Sequence, residues 1–210
     1  MATDAQLEIA YRRLSASLYQ PSEEWREENI FAHLAEALET VSPETACKAD
    51  IMKESSLNRT GDDLSLVFAR LFVGPFQLQA PPYGSVYLEP GKRVMGESTM
   101  AVNRFYEGSG LSLDGDSTEI PDHMAIELEF MSYLLQRAMR AEEEGDTAAY
   151  SFWVEKRRTF LDAFLSRWYG EFCGNIRNGT DDRFYLAFAD CLEGVVKRDM
   201  EVLSLAGKTA

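Results

Sequence analysis

Leu71–Glu97, LFVGPFQLQAPPYGSVYLEPGKRVMGE, interrupts a chain that reads as helix almost everywhere else. Four of the seven prolines lie in it, Pro75, Pro81, Pro82 and Pro90, together with glycines at 74, 84, 91 and 96. Proline has no amide donor and fixes φ, and glycine opens positive φ, so a continuous helix cannot cross this segment. Its composition is not that of a flexible linker, because Phe72, Phe76, Tyr83, Val86, Tyr87 and Leu88 are spread through it. A long irregular segment rich in aromatics is either pinned to a core or built for binding, and its residues alone leave both open. Val86-Tyr87-Leu88 is its one run of extended character, too short to found a sheet.

Working outward, Thr60-Gly61-Asp62-Asp63 reads as a capping-box variant. Leu64, Val67, Phe68, Leu71 and Phe72 follow at helical spacing until Gly74-Pro75 stops them, which brings Phe68 and Phe72 to the mouth of the loop. Beyond the loop a helix carries Met100, Val102, Phe105 and Tyr106. Residues 111–120, LSLDGDSTEI, read as a further loop and a hinge through which two copies could exchange segments. Pro121-Asp122-His123 then opens the most apolar helix, with Asp122 in its first turn where the dipole favours a carboxylate. Met124, Leu128, Met131, Leu135 and Ala138 form one stripe, widened by Ile126, Phe130, Tyr133 and Leu134, so this helix is central and buried.

Residues 4–19 form a first helix that ends before Pro21. Ser22 caps a second, and Ser42-Pro43 starts a short third. Asp146 caps a helix whose apolar stripe runs from Tyr150 through Trp153, Phe160, Leu161 and Phe164 to Trp168. Gly174 and Asn178-Gly179 break the chain before a last helix from Thr180 to about Leu205. The expectation is an all-α, single globular domain over residues 1–210, with roughly seven to nine helices and one long Pro/Gly/aromatic loop.

Of 210 residues, 45% are hydrophobic and 27% charged, ordinary values for a globular chain with a real core. The formal net charge of −14 argues against nucleic acid, whose phosphates need cations, and favours a cationic partner. Cys47, Cys173 and Cys191 are sparse and in no CxxC spacing, which points to a reducing compartment rather than a disulfide framework. No apolar run reaches the roughly 18 to 20 residues of a membrane span. Arg12-Arg13 is followed by no hydrophobic run and is read as the polar face of the first helix, not an export signal. His33 lies among polar residues and is expected at the surface.

No GxSxG elbow, phosphate-cradling loop or HExxH is found. His123 and Glu127 share a helical face, but two ligands make a weak metal site, so no metal is expected. No nucleophile accompanies the Asp122-His123 pair, and no catalytic residue is assigned.

Ala80-Pro81-Pro82-Tyr83-Gly84-Ser85-Val86-Tyr87-Leu88, Met95-Gly96-Glu97-Ser98-Thr99, Pro121-Asp122-His123, Glu127-Leu128-Glu129-Phe130-Met131 and the preceding Arg70-Leu71-Phe72-Val73-Gly74-Pro75 together resemble the TorD/DmsD family of redox-enzyme maturation chaperones. The dense likeness covers about residues 68–135. It implies an all-helical, cytoplasmic, non-catalytic protein that binds the twin-arginine signal peptide of a molybdopterin oxidoreductase. Such a chaperone holds the apoenzyme until its cofactor is inserted and blocks premature export. It further implies signal-peptide binding by Phe68, Phe72, Tyr83, Gly84, Ser85, Tyr87, Pro121, Asp122 and His123. No cofactor is implied beyond weak binding of guanine nucleotide (GTP), and the oligomer is a monomer or a domain-swapped dimer. Members often carry tryptophan where Phe68, Tyr83 or Tyr87 stands here, and many read Glu-Pro-x-Asp-His where this chain has Glu119-Ile120-Pro121-Asp122-His123. The competing readings are a guanine-nucleotide-binding or hydrolysing protein and a helical assembly factor that recognises a folded partner.

Overall fold

Where the apolar spacing is helical, the chain is helix. The computed structural model describes residues 2–58, 61–74, 78–112 and 120–206. The chain runs through α1 (Ala2–Ala16), α2 (Glu24–Glu27), α3 (Ile30–Val41), α4 (Pro43–Asn58), α5 (Gly61–Phe68), α6 (Gly84–Leu88), α7 (Glu97–Glu107), α8 (Met124–Glu143), α9 (Thr147–Ala163), α10 (Tyr169–Gly179) and α11 (Arg183–Ala206). Nine of these have eight or more residues, while α2 and α6 are little more than a turn. No strand occurs among the described residues, so the all-α expectation holds. No helix among them is long and apolar enough to cross a membrane.

The wide apolar face of α8 makes it the centre. Met124, Leu128, Met131, Leu134 and Leu135 are fully buried between α1 and α9. Phe130 joins Tyr106 and Phe160 in an aromatic cluster with ring centroids 4.6 and 4.7 Å away. The α1–α8 seam is also polar. Glu8 accepts from Ser132 Oγ at 2.8 Å and Gln136 Nε2 at 2.7 Å, and Glu129 accepts from the hydroxyls of Ser15 and Tyr19, each at 2.9 Å. On the opposite side α11 crosses α4 at Gly194, where a Cβ would stand 2.5 Å from Ser42 Oγ and 2.9 Å from Thr45 Oγ1. A side chain there would have to push both hydroxyls aside.

A buried ion network joins three helices. Arg157 of α9 donates to Asp199 of α11 through Nε at 2.9 Å and also through Nη2, and to Asp4 of α1 at 2.8 Å. The Tyr11 hydroxyl donates to the other Asp199 oxygen at 2.8 Å. Burial opposes the guanidinium charge, but Asp199 and Asp4 outweigh it and hold the Arg157 pKa above its ordinary value.

Several local expectations give way. Asn29 adopts φ 50° and splits the segment after Ser22 into α2 and α3, with no side-chain cap on α2. Asparagine tolerates that left-handed conformation better than most residues. The helix from Pro43 is not short but 16 residues long, and the Ser42 hydroxyl donates to Glu44 rather than capping it. α9 stops at Ala163 because Phe164 leaves helical geometry (φ −124°, ψ −81°), and Gly174 lies inside α10 instead of breaking the chain. Val86-Tyr87-Leu88 is helical, not extended. His33 is exposed as expected. The readings placed on Thr60, on Pro75 and Phe76, and on most of the 111–120 loop, Glu119 included, lie outside the described residues.

Removing one partner of a buried, multiply bonded ion pair strands the other. Asp199→Asn is expected to lower the unfolding free energy by about 3–5 kcal/mol, read as a lower urea midpoint at unchanged m-value.

Candidate binding site

The Pro/Gly/aromatic segment begins with a π-helical turn. Ala69–Val73 closes with the Gly74 amide donating to the Ala69 carbonyl at 2.9 Å, and Gly74 takes φ 91°. This turn sends Phe72 into the core and Val73 out to solvent. The chain returns through the Ala80 amide, which donates to the Leu71 carbonyl at 3.0 Å. Tyr83 is extended and forms an isolated antiparallel bridge with His123. Gly84 N donates to Asp122 O at 2.8 Å and Met124 N to Pro82 O at 2.8 Å.

Asp122 does not sit in the first turn of α8. That helix starts at Met124, with His123 as its N-cap accepting from Ala125 N through Nδ1 at 3.1 Å. The Asp122 carboxylate serves α6 instead: its Oδ2 accepts the Ser85 amide at 2.6 Å, from a residue 37 positions earlier. Asp122 Oδ1 and Ser85 Oγ are buried with no hydrogen-bond partner in the protein.

Behind this bridge lies Glu127. Its Oε2 accepts Trp168 Nε1 at 3.2 Å, and both press against Gly84, where a Cβ would stand 3.1 Å from Trp168 Nε1 and 3.5 Å from Glu127 Oε1. Burial first, and the Asp122 charge second, push the Glu127 carboxyl well above the ordinary range despite the indole bond. Burial alone pulls His123 down to about 4. Its Nδ1 is engaged as an acceptor, so the imidazole is neutral at neutral pH. His123 and Glu127 therefore face separate partners, and no metal-holding group of three or more ligands exists among the described residues.

The outer layer is aromatic. Tyr83 meets the His123 ring edge-on at 5.2 Å. Tyr87 stacks on Trp168 at 5.3 Å and donates its hydroxyl to Pro81 O at 2.8 Å, while Asn175 Nδ2 donates to that hydroxyl at 3.3 Å. Pro121 is half-buried, and its carbonyl accepts the Tyr106 hydroxyl at 3.0 Å.

Seven of the nine residues expected at the site therefore converge: Tyr83, Gly84, Ser85, Tyr87, Pro121, Asp122 and His123. Only Tyr83, Tyr87 and Pro121 are part-exposed, while Ser85, Asp122 and His123 are 0%, 1% and 6% exposed. Phe68 and Phe72 stand behind the site in the core. Phe72 packs on Tyr185 at 5.5 Å and on Phe172 at 5.9 Å, and Phe172 in turn reaches Tyr87 at 6.4 Å. Sequence reading missed Trp168, Phe172, Asn175 and their neighbour Glu171. Trp168 looks like the last of the α9 stripe, and no spacing rule connects it to residues some 80 positions earlier.

A profile of the nitrate reductase delta subunit family matches residues 26–174. The chain belongs to that family. Within it, the chain is similar to the Tat proofreading chaperone DmsD of Salmonella typhi, 31% identical over 104 residues and 50% of each chain. It is also similar to the chaperone protein TorD of Psychrobacter sp., 30% identical over 144 residues, 67% of this chain and 62% of that one. The TorD/DmsD resemblance is borne out, although the chain spans about half the length of the first of these curated relatives it matches. A solved structure described as a redox enzyme maturation protein of Archaeoglobus fulgidus superposes with a TM-score of 0.53 at 21% identity, over 90% of this chain and 93% of that one, which shows a shared fold.

Two outcomes follow for this member of the family. In Gly84→Ala the new methyl must displace the Trp168 indole from Glu127, at an expected cost of about 1–3 kcal/mol in urea unfolding. His123 is neutral in the fold down to pH ~4 but takes a proton at about 6.5 when unfolded. The unfolded chain therefore binds the proton first, and stability is lost as pH falls through that window, by ~3 kcal/mol. Asparagine can also cap α8, so His123→Asn is expected to remove this loss when unfolding is followed between pH ~7 and ~4.

Proposed function

We propose that this chain is a cytoplasmic, non-catalytic chaperone that binds the twin-arginine signal peptide of a molybdopterin oxidoreductase. In this reading it holds the apoenzyme until its cofactor is inserted and delays export until then. Membership of a family whose relatives include Tat proofreading chaperones supports the reading. The observation that carries it is the bracing of the 81–88 segment against the start of α8 by amides donating to Asp122 and Pro82. This bracing leaves Tyr83 and Tyr87 part-exposed beside each other's supports on one surface. Part-exposed aromatics on a rigid base suit the apolar run of a leader, and the −14 net charge suits its arginines.

Titration calorimetry with an isolated twin-arginine leader is expected to give a Kd of about 1 μM or tighter, weakening as salt rises. Replacing both arginines with alanine should remove most of the affinity. Equal binding of the two peptides would sink the proposal. Binding of the mature client without any binding of its leader would favour recognition of a folded partner surface instead.

A further inference from the structure

Resting on the leader-binding reading, we propose that Glu171, on the solvent side of α10, is the carboxylate that receives an arginine of the bound leader, with Tyr87 beside it. Asp122 is the carboxylate nearest the centre of the site, but the geometry removes it. Asp122 is 1% exposed, and its Oδ2 already holds the Ser85 amide at 2.6 Å. The unpartnered Oδ1 is itself buried, so a guanidinium seated there would lose its hydration, the costly route for a buried ion pair. Glu127, the other carboxyl of the site, is 1% exposed beneath Gly84 and accepts the Trp168 indole N–H at 3.2 Å.

Glu171 differs in each respect. It is exposed, and no lysine, arginine or histidine pairs with it among the described residues. Glu193 and Asp190, by contrast, are committed to Arg177 of α10 at 2.7 and 2.8 Å. Asn175, whose side-chain amide donates to the Tyr87 hydroxyl at 3.3 Å, stands four residues beyond Glu171. Residues at i and i+4 share a helical face, so Glu171 rises on the Tyr87 side of α10. Consistent with this, the Tyr87 phenol is pushed up first by burial and then by the Glu171 charge. A free carboxylate next to a part-exposed tyrosine offers a planar guanidinium two parallel hydrogen bonds and a ring to lie against. Lysine can make the charge contact but not the fork.

The test titrates the full chain with three leaders, carrying Arg-Arg, Lys-Lys or Ala-Ala, against wild type, Glu171→Gln, Glu171→Asp, Asp122→Asn and the remote, charge-matched Glu143→Gln. Glu171→Gln is expected to weaken the Arg-Arg leader about tenfold, to leave the Ala-Ala leader unchanged and to unfold at the wild-type urea midpoint. Glu171→Asp should recover part of the loss, and Glu143→Gln should keep the full arginine preference. Wild-type preference for arginine that survives in Glu171→Gln overturns the Glu171 assignment while leaving leader binding intact. The assignment also fails if the preference disappears in folded Asp122→Asn alone. Wild type that binds the three leaders equally, or binds none, removes both the assignment and the reading beneath it.

Discussion

A carboxylate taken out of water needs donors, and Asp122 finds them across the chain rather than in its own helix. Its carbonyl and one carboxylate oxygen accept the amides of Gly84 and Ser85, and those bonds hold an otherwise irregular segment against the start of α8. The remaining geometry of the site depends on this clamp. Tyr83 can reach His123, and α6 can begin where it does, because the two strand-like pieces are joined at Pro82–Gly84 and Asp122–Met124. Gly84 is the point of closest approach, with Trp168 and Glu127 directly beneath it.

The same burial that makes the clamp firm shifts the titration of its neighbours. Desolvation pushes the Glu127 carboxyl well above its ordinary range and keeps His123 unprotonated at neutral pH. The outer layer, where Tyr83, Tyr87, Pro121, Asn175 and Glu171 meet solvent, is the surface on which the proposed binding would take place. A hydrogen-bonded interior under a part-exposed aromatic rim suits reversible capture of a flexible peptide, since little of the binding energy goes into ordering the receptor.

The family likeness and the physics divide the labour. Likeness picks out the tyrosines, the Asp-His pair and the glycine between them, and the folded chain does bring these together. It also names Phe68, at the end of α5, and Phe72, in the π-helical turn, which pack on each other in the core and reach Tyr87 through Phe172. Asp122, which beside a helix start looks like that helix's own dipole partner, instead accepts the Ser85 amide of α6.

What the sequence by itself determined was local. Apolar residues recurring every three to four positions made α1, α3, α5, α8 and α11 readable, and the apolar breadth of α8 marked it as central. Asp146 declared itself as a cap and does accept the Ala149 amide. Tertiary structure alone decided that Asn29 would divide a helix, that Phe164 would end α9 and turn Trp168 toward Gly84, and that Val86-Tyr87-Leu88 would coil. It alone paired residues 83 and 123. Helix periodicity is written in neighbours a few positions apart, whereas the partner of a buried polar group is set by whatever folding brings within about 3 Å, and no spacing in the chain encodes that distance.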